Sequence, residues 1–176
     1  MTTRPLAVVR PSRPDARRGT LEAGGLQLPC ALGRTGVRVE KREGDGATPV
    51  GDWPLRQVLF RADKLALPGL ACPVRAIQLS DGWCDDPTDA HYNRPVALPY
   101  PGSAERMWRD DDLYDIVVVL GHNDDPPVPG LGSAIFMHIA RPGLVPTEGC
   151  IALVMPDLLV FLAAVLPFQI LRVMAE

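Results

Sequence analysis

The segment Phe136–Leu153, "FMHIARPGLVPTEGCIAL", brings together two side chains that are scarce in this chain. His138 is one of three histidines and Cys150 is one of four cysteines, and the loop between them holds two prolines and two glycines. Apolar segments flank the loop, so a strand ending near His138 and an element starting after Cys150 are expected to return the two side chains to each other. Three interpretations are open: a base with its nucleophile, two metal ligands, or a buried pair without chemistry.

The base–nucleophile interpretation has a clear chemical basis. A cysteine thiol has a pKa near 8.5, so only a small fraction is thiolate at neutral pH. An imidazole within hydrogen-bonding reach accepts the thiol proton and raises the reactive fraction. Gly149 has no Cβ, which lets a substrate carbonyl approach the backbone, and the N–H groups of Gly149 and Cys150 would then stabilise a tetrahedral oxyanion. The metal interpretation, with His138, Cys150, His122 and Asp124 as ligands, lacks compact spacing.

Composition predicts one soluble globular domain over residues 1–176, with 47% hydrophobic and 22% charged residues. The net charge of −3 argues against a general nucleic-acid binder. The longest apolar run near the start, Leu6–Val9, is shorter than the roughly 7–15 apolar residues of a secretion signal. The apolar segment Leu158–Phe168 is shorter than the roughly 20 residues of a membrane span. We therefore expect a chain that is unexported as written and has no membrane span.

Hydrophobic patterning predicts a mainly β fold. Gly24-Gly25 supplies the positive φ of a tight hairpin turn, and Val37 and Val39 alternate with polar residues as in a half-buried strand. The continuous apolar run "YDIVVVLG" predicts a central strand. Further strands are predicted in "LAVVR", "GTLEA", "LQLPCALG", "GVRVEKR", "WPLRQVLFR", "RAIQLS", "SAIFMHIA" and "FQILRVM".

Two other regions stand apart from this pattern. Asp157–Leu166 predicts one C-terminal helix, stopped by Pro167 and apolar nearly all round, hence part of the core. Asp81–Asp112 is polar and rich in turn residues, so it predicts a long loop excursion from the sheet. The cysteines form no CxxC pair; Cys30 is expected to be a buried apolar thiol, and Cys84 to have a structural or disulfide role.

The order of His138, a loop and then Thr147-Glu148-Gly149-Cys150-Ile151 resembles the signature of the L,D-transpeptidase catalytic domain, or YkuD, family. That family shows a His, a dozen or more residues, and Ser/Thr-x-Gly-Cys followed by an aliphatic residue. "GDGATPVGDW" resembles the family's Thr-Pro-x-Gly turn and the strand after it. The resemblance covers most of the chain and implies a curved mixed β-sheet or sandwich around a cysteine nucleophile.

The resemblance also implies a reaction. Cys150 would attack an L,D peptide bond of a peptidoglycan stem peptide, release D-alanine and carry a thioester until an amine of a second stem, usually of diaminopimelate, resolves it. His138 would be the base, and Gly149 and Cys150 would supply the oxyanion hole. No metal or organic cofactor is implied, and the place of action would be the cell envelope. Hydrolysis of the same substrates stays open, as does a non-catalytic wall-binding module.

This chain departs from the family pattern at two positions: Glu148 replaces a common His, and Ala152 replaces a common Arg or Asn. Glu148 would either orient His138 or repel an acidic substrate. Arg141 carries a planar guanidinium suited to a substrate carboxylate. The candidate substrate-binding residues are Arg141, Thr147, Glu148, His122, Tyr92 and Asn93.

Overall fold

A computed structural model describes residues 6–13, 15–67, 69–164 and 169–175. The architecture is mainly β with one helix, as predicted. The elements are β1 (Leu6–Pro11), β2 (Arg18–Ala23), β3 (Leu26–Ala31), β4 (Val37–Arg38), β5 (Thr48–Pro49), β6 (Gly51–Phe60), β7 (Val74–Ala76), β8 (Asp81–Cys84), β9 (Pro95–Ala97), β10 (Ala104–Arg106), β11 (Ile116–Leu120), β12 (Phe136–Ile139), β13 (Ile151–Leu153), α1 (Met155–Ala164) and β14 (Ile170–Val173).

The main sheet is mixed, curved and closed on itself. Its strand order is β11-β12-β13-β3-β2-β1-β14-β6-β7, and β6 also pairs with β11. The length of β6 makes this closure possible, because its first half pairs with β14 and its second half with β11. Three neighbouring pairs are parallel, namely β1 with β14, β12 with β13 and β6 with β7.

Strand β11 is buried on both faces and so separates two apolar cores. Because side chains alternate along a strand, Ile116 and Val118 face the larger core, whereas Val117 and Val119 face the smaller one beside Phe136. The larger core also receives α1 through Leu158, Phe161 and Leu162. The prediction of a strand without a solvent face is confirmed.

The smaller core is covered by the excursion of residues 81–112. This excursion is not the plain loop that its polar composition predicted, because it carries a three-stranded sheet in the order β10-β8-β9. Trp83 and Met107 from the excursion are buried against Phe136 and Leu59. The excursion therefore packs directly on β12, the strand that carries His138.

Several sequence predictions hold, and three need correction. The glycine hairpin is confirmed, with φ of 55° at Gly24 and 84° at Gly25. The strand predicted in residues 36–42 is only two residues long, since Val39 is 74% exposed and has no core to face. Helix α1 is not core all round, because Leu159 and Val160 are exposed. The third correction is β13, which patterning missed.

The predicted end of α1, Leu166 with Pro167, lies outside the described residues. No helix in the described ranges is long and apolar enough to span a membrane.

Candidate active site

His138 and Cys150 are brought to one face by the parallel pairing of β12 with β13. Met137 lies opposite Ile151 and His138 opposite Ala152. Since alternate residues point to opposite faces of a sheet, His138 and Cys150 both lie on the face away from Met137 and Ile151, which belong to the larger core. The two candidate residues are therefore offset by two positions on adjacent strands, with His138 buried and Cys150 half-buried.

The thiol of Cys150 is held between two backbone groups. Its S–H donates to the carbonyl of Ala134 at 3.4 Å, and the N–H of Phe136 donates to Sγ at 3.4 Å. Burial, together with the nearby carboxyl of Glu105, raises the pKa of Cys150 to about 12 against the lowering effect of the Phe136 N–H. The resting residue is thus a neutral thiol.

The imidazole of His138 is fixed in one tautomer. Its Nδ1 lies 2.8 Å from the carbonyl oxygen of Ile139, which can only accept a hydrogen bond. Nδ1 therefore carries the hydrogen and Nε2 keeps its lone pair for accepting a proton. Burial lowers the pKa of His138 to about 4, so the ring is neutral at physiological pH. The Tyr114 ring meets it edge-on with 5.3 Å between centroids.

No hydrogen bond joins Sγ of Cys150 to the His138 ring within the part of the chain that the structure describes. Catalytic hydrogen bonds are often long or absent before substrate binds. The pair therefore consists of a neutral acid and a neutral base that face the same side of the sheet, with no hydrogen bond between them in the described structure.

The turn before Cys150 is shaped by two threonines. The hydroxyl of Thr147 donates to the carbonyl of Cys150 at 2.6 Å and accepts from the N–H of Gly149 at 3.1 Å. The hydroxyl of Thr48, in the Thr-Pro-Val-Gly turn, also donates to the Cys150 carbonyl, at 3.4 Å. Gly149 has φ +134°, a conformation that L side chains rarely adopt.

These contacts distinguish the two predicted oxyanion donors. The N–H of Gly149 is already engaged by Thr147. The N–H of Cys150 has no hydrogen-bond partner among the described residues. Of the two groups, the Cys150 N–H is the one free to bind an oxyanion.

Two adjoining cavities open beside this turn. A cavity of about 350 Å³ is lined by Cys150, and one of about 200 Å³ is lined by His138. Both are lined by Glu105, Tyr114 and Glu148. The hydroxyl of Tyr114 donates to Glu105 at 2.6 Å, so this pair forms the wall shared by the thiol and the imidazole.

The cavity of Cys150 is rich in carboxylates: Glu43, Asp85, Glu105 and Glu148 line it. The cation that also lines it, Lys41, is ion-paired to Asp45. Burial, and to a lesser degree Asp85, raises the pKa of Glu105. Asp85 itself has a buried oxygen, Oδ1, without a hydrogen-bond partner among the described residues. Apart from Glu148, these carboxylates were not predicted from the sequence, because Glu43, Asp85 and Glu105 match no motif.

The remaining predicted residues fall into two groups, of which the first borders the cavity of His138. Arg141 is exposed and lines that cavity, and its guanidinium has no ion pair within the described ranges. The carboxylate of Glu148 pairs with Arg34 at 2.8 Å and its side chain is 78% exposed, so it does not orient His138.

The second group is buried behind the cavity of Cys150. His122 donates from Nε2 to the carbonyl of Leu131 at 3.0 Å and stacks edge-on against Trp53. The hydroxyl of Tyr92 donates to Glu43. Asn93 is 4% exposed, and its amide hydrogen-bonds only to protein groups. These three side chains support the loops around the site.

The structure does not place the four suggested metal ligands, His138, Cys150, His122 and Asp124, around a common site. His122 is engaged as described, and Asp124 pairs with Arg56 at 2.8 Å. Among the described residues no group of three His, Cys, Asp or Glu side chains is placed to hold a metal ion. All four cysteines are free thiols, and Cys30 is fully buried as predicted.

Comparisons with curated proteins and with solved structures gave no match. The family model of the L,D-transpeptidase catalytic domain, YkuD, matches residues 8–171. That range holds both cavities and the whole segment from His138 to Cys150. The chain therefore belongs to the YkuD family of L,D-transpeptidase catalytic domains, a family that acts on peptidoglycan.

Proposed function

We propose that this chain is a cysteine-dependent L,D-transpeptidase that joins peptidoglycan stem peptides through a thioester on Cys150. The observation that carries the proposal is the N–H of Cys150, which has no hydrogen-bond partner among the described residues, on a residue whose own thiol lines a cavity. A nucleophile with an adjacent free donor is the arrangement that acyl transfer requires. The family match supports this chemistry.

In the acylation step the proton moves before the leaving group departs. Nε2 of His138 accepts the proton of the Cys150 thiol as Sγ forms a bond to the substrate carbonyl carbon. The oxygen of that carbonyl becomes an oxyanion and accepts from the Cys150 N–H. The imidazolium then returns the proton to the nitrogen of D-alanine, the C–N bond breaks, and a thioester remains.

Substrate binding must align the thiol with the imidazole, because no hydrogen bond joins them beforehand in the described structure. A substrate that fills the cavities on either side of Tyr114 would span both groups. The exposed guanidinium of Arg141 is suited to a carboxylate at the donor's end. Closing the site around the donor also removes water, which strengthens the interaction between the forming thiolate and the imidazolium.

In the second step an amine attacks the thioester. The carboxylates around Cys150 make that cavity attractive to an ammonium group. The bound ammonium first loses one proton to solvent. As the resulting amine attacks the thioester carbon, Nε2 of His138 accepts its second proton, the C–S bond breaks, and the imidazolium gives that proton to Sγ. The negative charge of the carboxylates around Cys150 favours an amine acceptor over water. It therefore favours transpeptidation over L,D-carboxypeptidase activity.

We also propose that residues 1–176 act as one catalytic domain and that the protein works in the cell envelope, where its substrate lies. The family match over residues 8–171 supports the first statement. Fractionation of cells expressing the tagged natural gene product would test the second, which a signal confined to the cytoplasmic fraction would contradict.

The decisive experiment is incubation of the purified protein with disaccharide-tetrapeptides, followed by mass spectrometry. We expect stem dimers, released D-alanine and an acyl adduct mapped to Cys150. Shortened stems without dimers would identify a hydrolase instead. Cys150→Ala is the control, and formation of dimers by that variant would contradict the proposal.

A further inference from the structure

Three of the four described non-glycine residues with a positive φ are held together by one side chain. They are Asn93 at 55°, Asn123 at 49° and Ala134 at 52°. The side-chain amide of Asn93 donates to the carbonyls of Asn123 at 2.7 Å and His122 at 3.0 Å. Its Oδ1 accepts from the N–H of Ala134 at 3.0 Å. Residues with a Cβ adopt this conformation only where the surroundings impose it.

The hydrogen-bonding capacity of Asn93 is fully used. Besides the three contacts above, Oδ1 accepts from the indole N–H of Trp83 at 3.0 Å. An amide offers two N–H donors and two lone pairs, and all four are engaged. Asn93 is also 4% exposed. The excursion is thereby tied to both ends of the loop between β11 and β12.

The two hydrogen-bond partners of the sulfur lie at the end of the loop that Asn93 holds and at the first residue of β12. The carbonyl of Ala134 accepts from the Cys150 thiol, and the N–H of Phe136, two residues later, donates to Sγ. The backbone N–H of Ala134 is bound to Asn93 while its carbonyl is bound to the thiol. A single residue therefore connects Asn93 to the nucleophile.

We propose that Asn93 is a positioning residue for Cys150, acting through Ala134 to hold the carbonyl that accepts the thiol hydrogen. This role rests on the proposed function, since positioning matters only if Cys150 is the nucleophile. Asn93 does not touch substrate in this account.

Loss of the Asn93 side chain has two opposite consequences. Once Ala134 is released, its carbonyl no longer stabilises the protonated thiol, so the thiolate forms more readily and a small alkylating reagent reacts faster. Acylation by a peptide becomes slower, because a displacement of about 1 Å from the reactive geometry reduces the rate by about 10²-fold. A purely structural role would not separate these two rates in this way.

Two substitutions test the connection. Asn93→Gly tolerates the positive φ and removes every side-chain hydrogen bond. Asn93→Asp keeps an acceptor for the Ala134 N–H and is the conservative control. The measurements are the pH dependence of iodoacetamide labelling at Cys150, mapped by peptide, and the acylation rate with tetrapeptide followed by intact mass. Labelling of buried Cys30 reports any unfolding.

For Asn93→Gly we expect a labelling profile shifted down by about one pH unit, hence about tenfold faster labelling at neutral pH, with acylation about 10²-fold slower and Cys30 still protected. Asn93→Asp should keep the wild-type profile.

A wild-type profile in Asn93→Gly, or an equal shift in Asn93→Asp, would overturn the proposal. If Asn93→Gly exposes Cys30, Asn93→Asp decides alone: an unshifted profile supports the role and a shifted one overturns it. Labelling of Cys150 needs no peptide substrate. If the wild-type protein never acylates, the proposed function fails, but the labelling profiles still test whether Asn93 positions the thiol.

Discussion

Gly149 lies against the carbonyl of Ala47 so closely that a Cβ at Gly149 would be 2.8 Å from that oxygen. The contact joins the Thr-Pro-Val-Gly turn to the turn that carries the nucleophile. Two segments about a hundred residues apart in sequence are thus in contact through backbone atoms. This contact restricts the backbone at Gly149 and therefore the direction of the Cys150 N–H.

Gly149→Ala should impair both folding and catalysis. The substitution adds a clash with Ala47 to an unfavourable φ, and strain of this kind costs about 1–3 kcal/mol. Urea unfolding and acylation by tetrapeptide are the measurements. Gly143→Ala is the matched control, because Gly143 also has a positive φ, +78°, but nothing lies within 4 Å of its Cβ position. Equal effects in both variants would show that the contact with Ala47 has no role beyond backbone strain.

Cys150 should be alkylated slowly at neutral pH and faster as the pH rises. Its pKa of about 12 keeps it protonated, and only the thiolate reacts. Cys30 has a pKa raised to a similar value but is fully buried, so Cys150 should still be labelled first. Peptide mapping after iodoacetamide treatment measures the order. Equal or slower labelling at Cys150 would contradict an accessible nucleophile.

Acylation should remain fast well below the usual pKa of histidine. Burial lowers the pKa of His138 to about 4. The ring therefore stays neutral and able to accept a proton down to about that pH, and the acylation rate should decline only below it. His138→Ala should be about 10²–10⁴-fold slower at neutral pH and recover partly as the thiol ionises at high pH. An acid limit near pH 6.5, the ordinary histidine value, would contradict the lowering of the His138 pKa by burial. A wild-type rate in the variant at neutral pH would remove His138 as the base.

Asp85→Asn should slow the attack of the amine on the thioester more than the formation of the thioester. Asp85 lines the Cys150 cavity and has an unpartnered buried oxygen, so it is available to attract an ammonium group. We expect about tenfold slower resolution, the size of one charged hydrogen bond. The measurement is the lifetime of the acyl-enzyme at increasing acceptor concentration. Glu22→Gln, at an exposed ion pair with Arg10, is the control, and equal lifetimes in both variants would contradict a role for Asp85.

Arg141→Gln should raise KM for a donor with a free terminal carboxylate. The guanidinium lines the His138 cavity and is unpaired in the described structure, and an ionic hydrogen bond contributes about 1.5–3 kcal/mol, which is tenfold or more in affinity. Steady-state kinetics with the free acid and with its amide provide the comparison. If the ratio of the two KM values is unchanged by the substitution, Arg141 does not bind that carboxylate.

The sequence was informative wherever a local pattern coincided with a physical requirement. Gly24-Gly25 is needed for the hairpin turn, and the buried run of β11 has too many β-branched residues to be anything but an interior strand. Residues Thr147–Cys150 predicted a candidate reactive turn through their resemblance to the family signature, and the reactivity of Cys150 stays a prediction. Strand β13 escaped notice, since its three residues, Ile151–Leu153, are too few for periodicity to show.

The carboxylates around Cys150 and the role of Asn93 depend on contacts between distant segments. Glu43 lies far along the chain from Asp85 and Glu105 of the excursion, and no spacing in the sequence predicts that the three meet. Asn93 was expected to contact substrate because it lies in a polar excursion, yet its amide is engaged by Trp83, Ala134 and the loop after β11. A polar side chain can be buried when it has hydrogen-bond partners inside the fold, so polarity alone does not predict exposure to solvent.

The burial of β11 on both faces has a consequence for cooperativity and for solubility. Amide protons of β11 and of the excursion should exchange with solvent as one unit, because opening the excursion uncovers Val117, Val119 and Phe136 together. A shortened chain lacking residues 81–112 would keep its larger core but expose this row of β-branched and aromatic side chains. Such a surface is prone to intermolecular sheet formation, so the excursion also protects the protein from aggregation.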